Sequence, residues 1–303
     1  MLNLSQYCVF AGIVTVALAL ILYVLAFASD RVARARTVLA VESAGGEIPA
    51  SALAGEVGTT DIAGPPGGVA LLGTLMTWPA LGFLTAALIF RTLATGHGPF
   101  ANMYEFSVAF AWGALLANAY CLRRYRQWTI GVIVLPIALA LLLYATTVPN
   151  AVEPLVPALQ NNLLLTVHVA TAMIAYGAFA VGFAAALLYL LQSDGRRRLL
   201  PKREMLDDLS YRATLVGFPF LTLTIVLGAV WADVAWGKYW SWDPKESASL
   251  VTWIACCAYL HTRATRGWRG RRAALMLMVV FVATLFTFYG NLFFGGLHSY
   301  GSR

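Results

Sequence analysis

The sequence predicts an all-α protein, a polytopic bundle of helices that cross a membrane. Of its 303 residues, 60% are hydrophobic and only 12% are charged, and the mean hydropathy is +0.72. Soluble globular domains do not have this composition. Apolar runs of about 20 residues, long enough to cross a hydrocarbon core of about 30 Å, recur along the chain. Such runs must be helical, because lipid offers backbone N–H and C=O groups no other partner.

The apolar runs define about eight transmembrane helices in a single membrane domain, residues 1–303. The predicted spans cover residues 7–28, 70–92, 104–122, 129–147, 163–191, 213–232, 247–262 and 273–294. A cleaved signal peptide is the alternative for the first run. However, no basic residue precedes this run, and Arg31 and Arg34 follow it, which reverses the charge order of a signal peptide. We therefore expect a retained span.

The basic residues predict the orientation of the bundle. Seventeen of the 21 Lys and Arg residues fall in the loops after the first, third, fifth and seventh spans. By the positive-inside rule these loops face the cytoplasm, so both termini are expected outside it. The net charge of +7 is then a signal of topology, and no nucleic-acid partner is expected. Residues 29–69, rich in Ala, Gly and Pro, are predicted to form an irregular cytoplasmic loop.

The cysteines give no sign of redox chemistry. Cys8, Cys121, Cys256 and Cys257 form no C-x-x-C pair, and the last two are adjacent within an apolar run. We interpret all four as small buried hydrophobic residues. No catalytic triad or pair of carboxylates is evident, so the sequence leaves open whether the protein is an enzyme.

One stretch is unusually rich in aromatic residues. Residues 231–246, WADVAWGKYWSWDPKE, hold four tryptophans and a tyrosine between two apolar spans; we call them the aromatic segment. One or two such rings are typical of a membrane interface. Four tryptophans in twelve residues exceed that need and indicate a surface for a large, planar, mostly apolar ligand. The same stretch has a local role, since Asp243 and Pro244 are expected to cap and begin the seventh helix.

Two of the four histidines are expected at the level of the aromatic segment. Counting outward from the basic loops puts His168 and His298 near the outer boundary of the membrane. His261 lies near the inner boundary, and His97 lies in an external loop. Two outer imidazoles beside an aromatic platform could hold a metal in the plane of a ring from opposite faces, as in haem ligation.

Each of these residues also has a simpler interpretation. A histidine at an interface commonly serves only as a hydrogen-bonding residue, and His97 is interpreted in this way. His261 is favoured by the dipole at the end of a helix. Lys245 and Glu246 could form a surface ion pair of little energetic value. The residues alone leave these alternatives open.

The motif WGKYWSWDPKES carries a resemblance to a known family. It resembles the tryptophan-rich "WWD" segment of haem-handling membrane proteins of cytochrome c maturation, and in particular the CcsA (ResC) family of the system II pathway. Residues around His168 (LLLTVHVATAMIAYGAF) and around His298 (FYGNLFFGGLHSYG) extend the resemblance. The system I relatives differ, since CcmC has fewer spans and CcmF is about twice as long.

The resemblance implies ligands, partners and a location. The family's two external haem ligands match His168 and His298, and a membrane histidine of the family matches His261. Haem b would be the transported substrate, held against Trp236, Trp240, Trp242 and Asp243 within a haem-handling core, residues 70–303. A CcsB (ResB) membrane protein and apocytochrome c would be the partners. The expected location is a bacterial plasma membrane in preference to a thylakoid.

The function implied by the resemblance is movement of haem to the outer face and its presentation to the C-x-x-C-H motif of apocytochrome c. The chain would then form part of a cytochrome c synthase complex. Three alternatives stay open. They are an integral b-type cytochrome that carries electrons, a haem chaperone of the system I type, and a transporter of another amphipathic solute.

Overall fold

The computed structural model describes residues 1–43, 68–152, 154–160, 162–192 and 200–299, and they form a helical bundle. Eight α-helices occur in these residues, and no strand is found among them. The helices are α1 (Leu2–Ser43), α2 (Gly68–Thr95), α3 (Met103–Tyr125), α4 (Gly131–Thr147), α5 (Asn162–Leu191), α6 (Arg203–Trp236), α7 (Pro244–Arg266) and α8 (Arg271–Phe293). The all-α prediction is confirmed, and each predicted span falls within one of these helices or overlaps it closely.

Not all eight helices are equally apolar. Six of the helices in the described ranges, α1, α2, α3, α5, α6 and α8, are long and apolar enough to cross a membrane by length and composition. Helix α4 is apolar but only 17 residues long, and α7 carries charged and polar residues in both its first and its last turns. Large apolar side chains such as Phe10, Val226 and Val279 are exposed on the bundle's outer surface, as expected for contact with lipid.

The predicted irregular loop, residues 29–69, needs correction at both ends. Helix α1 continues through Ser43, and α2 begins at Gly68. The stretch after Arg31 contains Ala, Val, Leu and Arg, and its first glycine is Gly45, so nothing in it interrupts the helix. Residues 44–67 lie outside the described residues, and the prediction for them is not tested.

Helix α5 occupies the centre of the bundle. It packs against α3, α4, α6 and α8, while α1 packs on α2 and α4, and α7 pairs with α6 and α8. Glycines permit a close crossing of α3 and α5, since a Cβ at Gly113 would lie 2.8 Å from the Met173 carbonyl oxygen and one at Gly177 would overlap the Gly113 carbonyl. This crossing fixes the position of α5, the helix that carries His168.

Ion pairs and hydrogen bonds join neighbouring helices at both ends of the bundle. At the end that holds the basic loops, Arg263 of α7 pairs with Asp207 of α6 at 2.7 Å. At the other end the buried pair Arg91–Glu105 joins α2 to α3 at 2.8 Å, and Arg91 also donates to the Asn150 carbonyl. This second end also holds the aromatic segment and the residues that follow α8, up to residue 299.

Candidate functional site

A cavity at the end of the bundle opposite the basic loops brings the candidate residues together. It lies between α3, α5, α6, α8 and the start of α7, and its volume is about 920 Å³ with its open mouth included. Its lining includes both His168 and His298, which are 130 residues apart in the sequence.

Helix α6 holds the ring of His168 in one orientation. Its Nδ1 atom lies 2.8 Å from the carbonyl oxygen of Thr224, so Nδ1 carries the proton and donates it. The ring is nearly parallel to the indole of Trp231, with 6.4 Å between centroids and 7° between planes. Gly228 leaves room for the imidazole, because a Cβ there would lie 2.7 Å from its Cε1 atom. In this tautomer the lone pair of the neutral ring is on Nε2.

Asp243 orients His298 in a similar way. The Oδ1 atom of Asp243 accepts a hydrogen bond from His298 Nδ1 at 2.8 Å, and Oδ2 accepts one from the Leu297 backbone N–H at 2.6 Å. Gly296 permits this approach, since a Cβ at that position would overlap Oδ2. As in His168, the proton is on Nδ1 and the lone pair of the neutral imidazole is on Nε2. A carboxylate bonded to the far nitrogen is the usual second partner of a metal-binding histidine.

Asp243 performs its expected local role as well. It is the N-cap of α7, accepting from the Lys245 N–H at 2.9 Å, and Glu246 completes the capping box by accepting from the Asp243 N–H. The alternative of a Lys245–Glu246 ion pair does not form, because the Glu246 carboxylate instead accepts from the N–H and hydroxyl of Ser241. One carboxylate therefore joins the start of α7 to the loop of His298.

The charges of Asp243 and His298 follow from their burial and their contacts, and both residues lie outside the membrane-spanning helices. Burial raises the pKa of Asp243, but the hydrogen bond and charge of His298 and two backbone N–H donors outweigh it and hold the pKa at about 2. Burial lowers the pKa of His298 below its ordinary value, and the bond to Asp243 only partly opposes this. At neutral pH the pair is a carboxylate and a neutral imidazole, the form that can bind a metal.

We expect Asp243→Asn to weaken ligand binding at His298. The amide keeps one acceptor oxygen but brings an NH2 group towards an N–H donor, so it cannot satisfy both His298 and Leu297. Loss of such a partner typically costs about 10- to 100-fold in metal-centre affinity. Haem titration of the purified protein measures this, with Asp233→Asn as the matched control. Equal affinities for the two variants would contradict the role given to Asp243.

The position of His298's pKa also gives an expected pH dependence. Protonation of Nε2 competes with a metal for the same lone pair, so a ligand at His298 should be released only as the pH falls below the ordinary histidine value of about 6.5. Absorbance spectra of the purified protein mixed with haem, recorded along a pH titration, measure the release. Half-release at or above that pH would contradict the lowered pKa.

The aromatic segment divides into parts that face the cavity and a part that does not. Trp240 and Tyr239 line the cavity, and Trp236 meets the ring of His298 edge to face with 4.8 Å between centroids. Trp242, expected on the same platform, is 71% exposed and does not line the cavity. Its φ of 60°, followed by a φ of −53° and a ψ of 147° at Asp243, turns the chain into α7 and directs the indole outward.

Sequence reasoning did not select Trp231 for the site, although its ring lies beside both histidines. The indole is 1% exposed, and its centroid lies 6.4 Å from that of His168 and 5.8 Å from that of His298. Its Nε1 atom donates to the Ala158 carbonyl, in a short 3-10 turn, Pro157–Leu159. The only signal in the sequence was its membership of the aromatic segment.

Sequence reasoning also missed one wall of the cavity, which aromatic side chains of α3, α5 and α8 form in large part. Phe110 packs on Tyr176 with 5.2 Å between centroids and edge to face on Phe288 at 5.0 Å. Such residues are ordinary in apolar spans, so nothing in the sequence distinguished them. Lys245 also lines the cavity, with its Nζ 5.1 Å from the centre of the Phe106 ring.

The other two histidines are elsewhere. His261 is exposed on α7, two residues before the cation that pairs with Asp207 at the basic end of the bundle, and it does not line the cavity. His97 is buried, its Nδ1 lies 2.8 Å from the Gly98 carbonyl oxygen, and it is also absent from the cavity lining.

Comparison with known proteins identifies the class. A family model described as "Cytochrome C assembly protein" matches residues 100–298, a range that contains every residue lining the cavity. The cytochrome c biogenesis protein CcsA of Guillardia theta is 38% identical over 246 residues, which cover 72% of this chain and 81% of that protein. CcsA of Gloeobacter violaceus is 35% identical over 292 residues, covering 76% and 86% respectively.

A solved structure supports the same fold. The cytochrome c haem lyase CcmF aligns with a TM-score of 0.68 and 20% identity over 95% of this chain, which spans 46% of the CcmF chain. The fold and the matches define a multi-pass membrane protein of cytochrome c assembly. Within that class, the chain belongs to the CcsA family of cytochrome c biogenesis proteins.

Proposed function

We propose that this chain holds haem b between His168 and His298 and presents it for covalent attachment to the C-x-x-C-H motif of apocytochrome c. The observation that carries the proposal is that both histidines line one aromatic cavity, each with a proton on Nδ1 and a lone pair on Nε2. The coarser role in cytochrome c maturation is that of the family.

The donors in the cavity suit a metal that brings its own equatorial ligands. No group of three or more His, Cys, Asp or Glu side chains placed to hold a metal ion occurs in the described parts of the chain. Two imidazoles can complete the coordination of an iron porphyrin, whose ring supplies four nitrogens. Trp231, Trp240 and the rings of α3 and α8 offer the flat apolar contact that a porphyrin needs. Haem is the substrate here, passed on and not retained.

The direction of transfer follows from charge. The connections that hold most of the Lys and Arg residues are at the other end of the bundle from the cavity, so by the positive-inside rule the cavity and both termini face away from the cytoplasm. We place the protein in a bacterial plasma membrane with its cavity on the outer side. Haem would then reach the cavity from the inner side of the bilayer.

His261 indicates where a second protein contributes. Its imidazole lies on the exposed surface of α7, at a different depth from the cavity. A haem held there would need its opposite ligand from another chain, which suits a CcsB-like membrane partner. The chain would then be one part of a cytochrome c synthase complex, with Trp236, Trp240 and Asp243 as its presenting surface.

The attachment chemistry requires little from the protein beyond positioning. Each apocytochrome thiol adds across a haem vinyl group, so that a C–S bond forms on one vinyl carbon and the proton goes to the other, without net oxidation. Holding the porphyrin in one orientation beside the thiols supplies the proximity that such an addition needs. An integral b-type cytochrome is the main rival, and such proteins bind haem without passing it to another protein.

Two tryptophan variants test the proposal. Trp240→Ala removes a ring from the cavity wall and should lower the affinity for haem about tenfold, as expected for loss of aromatic contact and buried area. It should also reduce the host's c-type cytochromes. Trp242→Ala is the matched control, since that indole is exposed. Haem-binding spectra of the purified protein and haem-stained gels of host membranes measure both effects. Undiminished maturation with Trp240→Ala would remove the cavity from the mechanism.

A further inference from the structure

Lys245 is the one lysine whose side chain faces the cavity among the residues that the structure describes. It lines the cavity together with both histidines; the residue is half-buried, and its ammonium group lies over the ring of Phe106. Lys238, in the same aromatic segment, is exposed and lines no part of the cavity. A cation placed in an apolar cavity costs free energy unless a partner compensates for it.

The nearby carboxylates do not compensate for Lys245 by direct contact. Asp243 accepts from His298 and from the Leu297 and Lys245 backbone N–H groups, and Glu246 accepts from Ser241 and from the Asp243 N–H. Within the described residues, no acceptor lies within hydrogen-bonding distance of Lys245 Nζ, and its contact is with the face of Phe106. Its charge is therefore available to a ligand.

We infer that Lys245 binds a propionate carboxylate of the porphyrin and so fixes how the ring is turned in the cavity. This rests on the proposed function, because it assigns a contact to the same ligand. An ammonium–carboxylate hydrogen bond is among the stronger polar contacts, and more so in an apolar site. The two propionates share one edge of protohaem, so holding that edge determines where the two vinyl groups point.

Different residues perform two tasks within the site. His168 and His298 hold the iron, which leaves the ring free to turn about the iron–nitrogen axis. Lys245 stops that rotation from the periphery of the ring. It is a positioning residue, and its loss should leave iron ligation intact while removing selection for propionate-bearing porphyrins.

The test compares two iron porphyrins on the full-length chain purified in detergent. Haem b and its propionate dimethyl ester, which has no carboxylate, are titrated into the unchanged protein and into Lys245→Met, Lys245→Arg and Lys238→Met. Each complex is checked for the spectrum of iron with two imidazole ligands. We expect the unchanged protein to bind haem b about tenfold or more tightly than the ester. Lys245→Met should reduce that ratio to about twofold or less, and the Arg and Lys238→Met variants should keep it.

The outcomes distinguish this inference from the proposed function. Bis-imidazole spectra with the same preference for haem b in Lys245→Met would overturn the role of Lys245 and leave the proposed function standing. Equal affinity of the unchanged protein for the two porphyrins would do the same. Absence of any bis-imidazole complex in the unchanged protein would overturn both.

Discussion

Replacement of His168 or His298 by glycine should remove haem from the purified protein, and added imidazole should restore it. Each substitution deletes a proposed iron ligand but leaves a space that free imidazole can enter. Loss of an outer-shell partner alone costs about 10- to 100-fold in affinity, so loss of the ligand should cost more than about 100-fold. Haem content after purification, with and without imidazole in the buffer, measures the effect.

His97→Gly is the matched control for this experiment. His97 is buried, but it bonds to Gly98 and lies outside the cavity lining. This variant should keep its haem. If the pigment persists in both His168→Gly and His298→Gly, the ligand assignment is wrong.

Gly228→Ala should weaken haem binding although it replaces neither of the proposed iron ligands. A methyl group at this position would lie 2.7 Å from His168 Cε1, well inside van der Waals contact. The ring has little freedom to retreat, because Nδ1 is bonded to Thr224 and the ring lies parallel to Trp231. The methyl group must displace the imidazole and break that bond. We expect haem affinity, measured by titration, to fall by about tenfold or more, as for other losses of ligand orientation.

The expected loss of haem affinity does not come from a less stable helix. Alanine favours a helix over glycine by about 1 kcal/mol, so the helix itself should be no less stable. Gly182→Ala on α5 is the matched control, because a Cβ there would meet Ala213 at an ordinary 3.6 Å. Unchanged haem affinity in Gly228→Ala would mean that the ring of His168 is not held as described.

The helices could be predicted from the sequence because their signals are local. A run of apolar residues long enough to cross lipid has only one way to satisfy its backbone, and flanking charge marks its ends. The same reasoning gave His168 and His298 a common level, since rise per residue converts position into depth. It failed for residues 29–43, where composition was interpreted as irregular but no glycine or proline interrupts α1.

The content of the site could be predicted only in part. The selection of Trp236 and Trp240 rested on their place in the aromatic segment, and the structure brings one beside His298 and the other into the cavity. Trp242 belongs to the same motif, yet it points outward. Trp231 lies beside both histidines, although nothing in its sequence context ranked it above its neighbours. The ligand roles of His168, His298 and His261 stay predictions.

The sequence by itself determined a membrane-embedded helical bundle, the approximate positions of its spans, and the pairing of an aromatic segment with two histidines at one end. Only the tertiary structure decided that Asp243 joins the cap of α7 to His298, that Gly228 makes room for His168, and that Lys245 faces the cavity. The reason is that hydropathy and charge act residue by residue along the chain. The direction of a side chain in a cavity depends instead on the crossing of α5 with its neighbours and on the backbone turn at Trp242, which join residues distant in sequence.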